Sequence, residues 1–239
     1  MLKKIVPCLL LTFLFCCTFE KATADTIKIT PTRICFSPKE NVAVLHLTND
    51  GDHAIMIQSK MHAWFLQKNN QILRSSNHII VMPPLFELPS HKTQLIRLFL
   101  KRPNISKSES TYRLYFREVL QNKSNTQNDE DHMRLDLQMS LPVFVLPQTP
   151  VVEKWSWHAR KILNHLTEIN IINDGNVTLF LSKIKLFDKT NKYILTMHTF
   201  AYILPHQTKF WKIRTQQLPT RIYPNVTYPC VQNSVSENP

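Results

Sequence analysis

The chain has 239 residues, 43% of them hydrophobic, and a formal net charge of +12. Its two glycines stand against 15 prolines, too few for a phosphate-cradling loop, which excludes P-loop and dinucleotide-binding enzymes. The charge raises nucleic acid or an anionic membrane as partners, but the lysines and arginines are spread along the chain, as on a solvated basic surface.

The first residues read as a secretory signal. Lys3 and Lys4 open it, Ile5 to Phe19 is its apolar core, and Ala22-Thr23-Ala24 fits a cleavage site. Residues 1–24 are therefore expected to leave as a signal peptide, with no membrane anchor after cleavage. Cys8, Cys16 and Cys17 leave with it; Cys35 and Cys230 remain. These two could pair in an oxidising compartment, but their places near opposite ends of the chain favour two free thiols.

Thr26 to Phe36 alternates and reads as a first strand, followed by strands over Asn41 to Thr48 and Ile55 to Leu66. Between the last two stands Asn49-Asp50-Gly51, a tight-turn signal. Asn69-Asn70 turns the chain, and Ile79 to Met82 runs into Pro83-Pro84, which stops regular pairing. Thr93 to Leu100 and Thr111 to Val119 are two more strands.

Met133 to Val145 is the most unusual stretch. Every odd position is apolar, and the even positions begin polar, with Arg134, Asp136, Gln138 and Ser140. This alternation means a strand with two unlike faces, far longer than the usual 5–6 residues or so. It follows a polar run, Gln121 to Asp131. Such a strand invites aggregation unless something covers it, and the expected cover is a partner.

Pro147 to Pro150 reads as a stiff linker. Beyond it, strands are expected at Leu166 to Ile172, Val177 to Leu186, Tyr193 to Leu195, Phe200 to Leu204 and Phe210 to Ile213. Strand, Asn-Asp-Gly, strand occurs twice, from Leu45 and from Ile169, and uses both glycines. Each glycine reads as a turn residue needing positive φ. The repeat and the strand spacing predict an all-β chain of two tandem immunoglobulin-like β-sandwich domains, over 25–147 and 151–239.

No metal or catalytic site emerges. The ten histidines form no HExxH, no cysteine pair has zinc-ligand spacing, and no G-x-S-x-G elbow occurs. No cofactor is expected. Trp155 and Trp157 read as packing residues.

In order along the chain come Thr32-Arg33, Asn49-Asp50-Gly51, Met82-Pro83-Pro84-Leu85-Phe86 with Leu88-Pro89, and Gln94 to Arg97. Then follow Glu109 with Tyr112-Arg113, Phe116-Arg117-Glu118, and Leu141 to Val145 with Pro147. Together these pieces resemble the PapD-like periplasmic pilus chaperones, most nearly their archaic branch. The resemblance implies two domains set at an angle, a periplasmic location, and no catalysis. It also implies donor-strand complementation, in which the chaperone lends its long strand to a pilus or fibre subunit lacking its last strand, then delivers the subunit to an outer-membrane usher.

By that resemblance Met133, Leu135 and Leu137 are the donated side chains, with Met139 extending them. Burying three such side chains contributes about 5–9 kcal/mol before ordering costs. Arg33 matches an arginine that anchors the subunit's C-terminal carboxylate. Pro142 stands where a lysine usually completes that site, so Arg117 and Arg113 are the expected substitutes. Arg97 is expected either as a further cation or in an ion pair with Glu118. A secreted two-domain immunoglobulin-like adhesion protein is the alternative, but the paired cysteines with an intervening tryptophan are missing. Nucleic-acid binding lacks an aromatic-basic motif.

Overall fold

The computed structural model describes residues 27–67, 69–119 and 137–231. The signal segment, Met133 and Leu135 lie outside the described residues. The elements are all strands: β1 (Ile27–Thr30), β2 (Ile34–Phe36), β3 (Val42–Asn49), β4 (Ile55–Gln67), β5 (Asn70–Ser75), β6 (Ile79–Met82), β7 (Leu85–Leu88) and β8 (Thr93–Leu100). They continue as β9 (Ser110–Glu118), β10 (Gln138–Val145), β11 (Trp155–Leu163), β12 (Leu166–Asn173), β13 (Leu179–Phe187), β14 (Tyr193–Ile203), β15 (Thr208–Arg214) and β16 (Arg221–Thr227).

The first ten strands make two sheets, β1-β3-β8-β6 and β2-β10-β9-β4-β5, with β7 also on β4. Leu45, Leu47, Ile57, Ile96, Leu98, Leu114, Phe116 and Val143 fill the core that they share. The last six strands make β11-β12-β15 and β14-β13-β16 around a separate core of Ile169, Ile171, Leu181, Ile184 and Ile203. Trp155 and Trp157 pack against this second core. The chain is an all-β pair of sandwiches.

Several expectations are corrected. The first strand is two: Pro31 follows a cis bond, cannot donate to a ladder, and lies where the chain leaves one sheet for the other. β5, β7, β11 and β16 were not anticipated, because their alternation is short or polar. Tyr193 to Leu195 and all but the last residue of Phe200 to Leu204 belong to one strand, β14, whose register shifts opposite Leu181/Lys183. Arg97 and Glu118 stand in different sheets, Arg97 between Val44 and Met82 on the outer face of its own.

Neither Asn-Asp-Gly is a hairpin turn, and no described glycine has positive φ. The asparagine does the structural work instead. Asn49 (1% exposed) donates to the carbonyls of His53 (2.7 Å) and Leu88 (3.1 Å), and accepts from Gly51 N (2.9 Å). Asn173 (0% exposed) donates to Val177 O (2.8 Å) and Ile203 O (2.9 Å), and accepts from Gly175 N (3.0 Å). Each closes an Asx turn as the chain crosses between sheets. Gly175 is needed for space: a Cβ there would lie 2.2 Å from Val152 O.

Cys35 and Cys230 form a disulfide, with Cα atoms 5.6 Å apart across 195 residues, which overturns the free-thiol expectation. Distance in sequence misled here. β2 and the segment after β16 both end beside Trp64, Leu66, Phe144, Tyr202 and Leu204, a third apolar cluster joining the two halves.

Two polar clasps reinforce it. The Asn69 carboxamide donates to Phe210 O (2.7 Å) and accepts from Phe210 N (3.1 Å), as a strand would on the edge of β15. Glu109 accepts from the Thr178 hydroxyl and, at 3.2 Å, from Thr178 N. Burial pushes the Glu109 carboxyl up to about 7, against the lowering effect of those bonds.

Candidate functional site

β10 is paired along its whole length on one side only. Residues 138–145 match 117–110 of β9, whereas β2 covers just Val143 to Val145. Among the described residues, Gln138 to Pro142 therefore have an open edge. Glu118 N donates to Leu137 O (3.0 Å) and Leu146 N to Phe36 O (3.0 Å). Backbone groups alternate sides along a strand, so odd-numbered residues of β10 bond β9 and even-numbered ones face away from it. Gln138 and Ser140 thus present N–H and C=O to the open edge. Pro142 falls on the same edge, where its missing N–H costs no β9 bond.

The odd side chains form one apolar stripe. Leu141 (3% exposed), Val143 (0%) and Val145 (1%) fill the chain's own core. Met139 packs against that core from its margin, and Leu137 is half-buried. Of the expected donated residues, Leu137 and Met139 stand where the stripe leaves the sandwich. Met133 and Leu135 lie outside the described residues.

The opposite face of this sheet is built from even positions of β4 and β10 and odd positions of β9. On β4 it runs Gln58, Lys60, His62, Trp64 and Leu66. The change from polar to apolar marks where the second sandwich covers the sheet. Arg113 sits at that boundary. Its guanidinium lies 4.3 Å from the Trp64 ring centroid and 5.9 Å from that of Tyr202. It reaches Ser140 Oγ at 3.5 Å, and its Nε is buried without a partner. Burial draws its pKa down from the usual value, but an arginine stays charged.

Register places His62, Arg113 and Pro142 in one row. Ile34 pairs with Val143, so exposed Arg33 extends that row beyond Pro142. Arg33 and Arg113 are then two strand spacings apart, about 10 Å between backbones, close enough for both long side chains to converge over the proline. Arg117 shares the face, as alternation predicts, but stands four residues along β9, roughly 13 Å away, and pairs across with Gln58 and Gln138. Of the two expected substitutes, Arg113 therefore stands nearer to Arg33 and Pro142.

Sequence reasoning missed His62, Trp64 and Tyr202. A signal for the first two existed in the even positions of β4, which turn aromatic where an exposed face should stay polar. Tyr202 has no such signal.

Residues 26–150 match the family described as pili and flagellar-assembly chaperone, PapD N-terminal domain. No curated protein matches the chain. Among solved structures, one similar chain comes from the CsuC–CsuE chaperone–tip adhesion subunit pre-assembly complex of Acinetobacter baumannii. It has 19% identity and a TM-score of 0.62, over 83% of this chain and 92% of that one. The Salmonella enterica SafA pilin–SafB chaperone complex gives 16%, 0.58, 86% and 98%, and the E. coli chaperone DraB 16%, 0.57, 84% and 95%. At such identities the likeness is one of fold.

Proposed function

This chain belongs to the pili and flagellar-assembly chaperones with a PapD N-terminal domain, and we propose that it is a periplasmic chaperone which lends β10 to an incomplete fibre subunit. The observation that carries this reading is the open edge from Gln138 to Pro142, beside an apolar stripe that passes Met139 at the margin of the core to half-buried Leu137. A subunit strand laid on that edge takes up the backbone groups of Gln138 and Ser140. Leu137, Leu135 and Met133 fill the subunit's groove, and Met139 bridges the two cores. Strand addition of this kind sets direction through main-chain bonds and register through alternate side chains. It needs no nucleotide.

Arg33 and Arg113 anchor the subunit's C-terminal carboxylate over Pro142, a charge-assisted contact of about 1.5–3 kcal/mol when shielded from water. The aromatic stack on Arg113 holds one arm of the anchor, in place of the lysine that Pro142 displaces. Arg117 is a separate contact farther along the face. Residues 25–147 carry the donor strand and most of the anchor, 151–239 form the second sandwich, and the loaded complex is passed to an outer-membrane usher. Chaperone–subunit complexes stand among the structures of similar fold.

Co-expression with the neighbouring fibre genes, followed by purification from the periplasm, tests the reading. A protease-protected subunit is expected to co-purify with the wild-type chain and to be lost when Leu135 and Leu137 are both changed to Asp. Undiminished capture by that variant, with its fold intact, overturns the donor assignment.

A further inference from the structure

Beside the anchor row, and sharing His62 with it, the same sheet face holds a concavity of about 340 Å³ lined by Gln58, Lys60, His62, Leu73, Tyr115, Arg117 and Gln138. Register stacks all of these but Leu73 in rows: Gln58, Arg117 and Gln138; then Lys60, Tyr115 and Ser140; then His62, Arg113 and Pro142. No Asp or Glu stands in these three rows; Glu87, opposite Met56, lies one row beyond Gln58 on the same face. The His62 ring is held edge-on to Tyr115, centroids 5.2 Å apart, and its Nδ1 is buried without a hydrogen-bond partner. Cations and hydrogen-bonding groups thus line a hollow that borders the open edge at Gln138 and Ser140.

We infer that this hollow is a second recognition site, which takes an acidic side chain of the captured subunit. The inference rests on the reading that a subunit docks along β10. A strand added there extends the sheet by about 4.8 Å. The body of the subunit then overhangs the face, and a loop folding back over it reaches Lys60 and Tyr115. A carboxylate meets the Lys60 ammonium there, and no acidic residue of the three rows competes for it. Charge complementarity of this kind acts chiefly on association rate and on the choice between partners, and added salt screens it. The donor strand, whose groove contacts are apolar, would accept many subunits, whereas the hollow would favour those with acid at the matching place.

The test uses the full chain and the co-expressed subunit, with association followed by stopped-flow fluorescence. Lys60→Glu is expected to slow association roughly fivefold to tenfold at 50 mM NaCl, with the difference gone at 0.5 M, within the span of steering effects. Lys60→Gln should show a smaller slowing of the same kind and guards against misfolding of the reversed variant. Hexaglutamate should compete with the subunit for the wild-type chain and much less for Lys60→Glu, while hexaglutamine and inorganic phosphate should not compete. Wild-type rates in both Lys60 variants at low salt, or equal competition by hexaglutamine or phosphate, would overturn the inference. Absence of any capture by the wild-type chain would instead sink the reading on which it rests.

Discussion

Ser140→Pro separates the open edge of β10 from everything that edge does for the chain itself. Ser140 faces away from β9 with its N–H, on the side where β2 does not reach. A proline there removes one donor that the fold does not use, beside a proline already tolerated at the next even position. The pyrrolidine ring projects from the same edge. The cost to the isolated chaperone should stay under about 1 kcal/mol, since extended backbone accepts proline with modest adjustment. Capture is another matter. The incoming strand loses one hydrogen bond and buries a carbonyl without a partner, together about 2–3 kcal/mol, or roughly a thirtyfold to 150-fold weaker Kd. Ser140→Ala controls for the hydroxyl that Arg113 touches and should bind within a few-fold of wild type. Leu141→Pro is the opposite control: it breaks a bond to β9 and deletes a buried side chain, costing about 3 kcal/mol or more of stability. Urea unfolding gives the stabilities, and titration with purified subunit gives Kd. Wild-type affinity in Ser140→Pro would refute strand addition at this edge. A loss of stability as large as that of Leu141→Pro would refute the assignment of backbone directions.

Glu109 gives a prediction in pH. Its folded pKa of about 7 lies above the ordinary 4.5, so the folded state holds the proton more tightly. Its contribution to stability is full below 4.5 and is lost as pH rises through 7, by about 3 kcal/mol in all. Glu109→Gln should flatten the fall in urea midpoint between pH 5 and 8; an unchanged slope assigns that fall elsewhere. Asn173→Ala should lower stability by about 3 kcal/mol or more, because three buried backbone groups lose their partner. Asn49→Ala should do the same in the first sandwich, and a loss under 1 kcal/mol in either would show that the Asx turns are dispensable.

Alternation carried most of the strands and both sandwiches. A side-chain period of two is a local property, and the stretch from Met133 to Val145 displays it strongly enough to mark the strand that the structure describes over Gln138–Val145. The repeated Asn-Asp-Gly marked two equivalent corners, although the glycines drew the explanation and the asparagines do the bonding. Proline placement was legible in part: Pro83 and Pro84 ended a strand as expected, whereas the switch of sheets at Pro31 needed the partner strands to be known.

Contacts between distant parts of the chain were decided by tertiary structure alone. The contact of Arg113 with both Trp64 and Tyr202, the Cys35–Cys230 bridge and the raised Glu109 carboxyl each require one sandwich to meet the other. The Asn69 clasp on Phe210 is of the same kind. Hydrophobic periodicity says which face of a strand is covered, because burial acts on each strand separately. It is silent on what covers that face, because the covering group can come from any place in the chain that packing brings near.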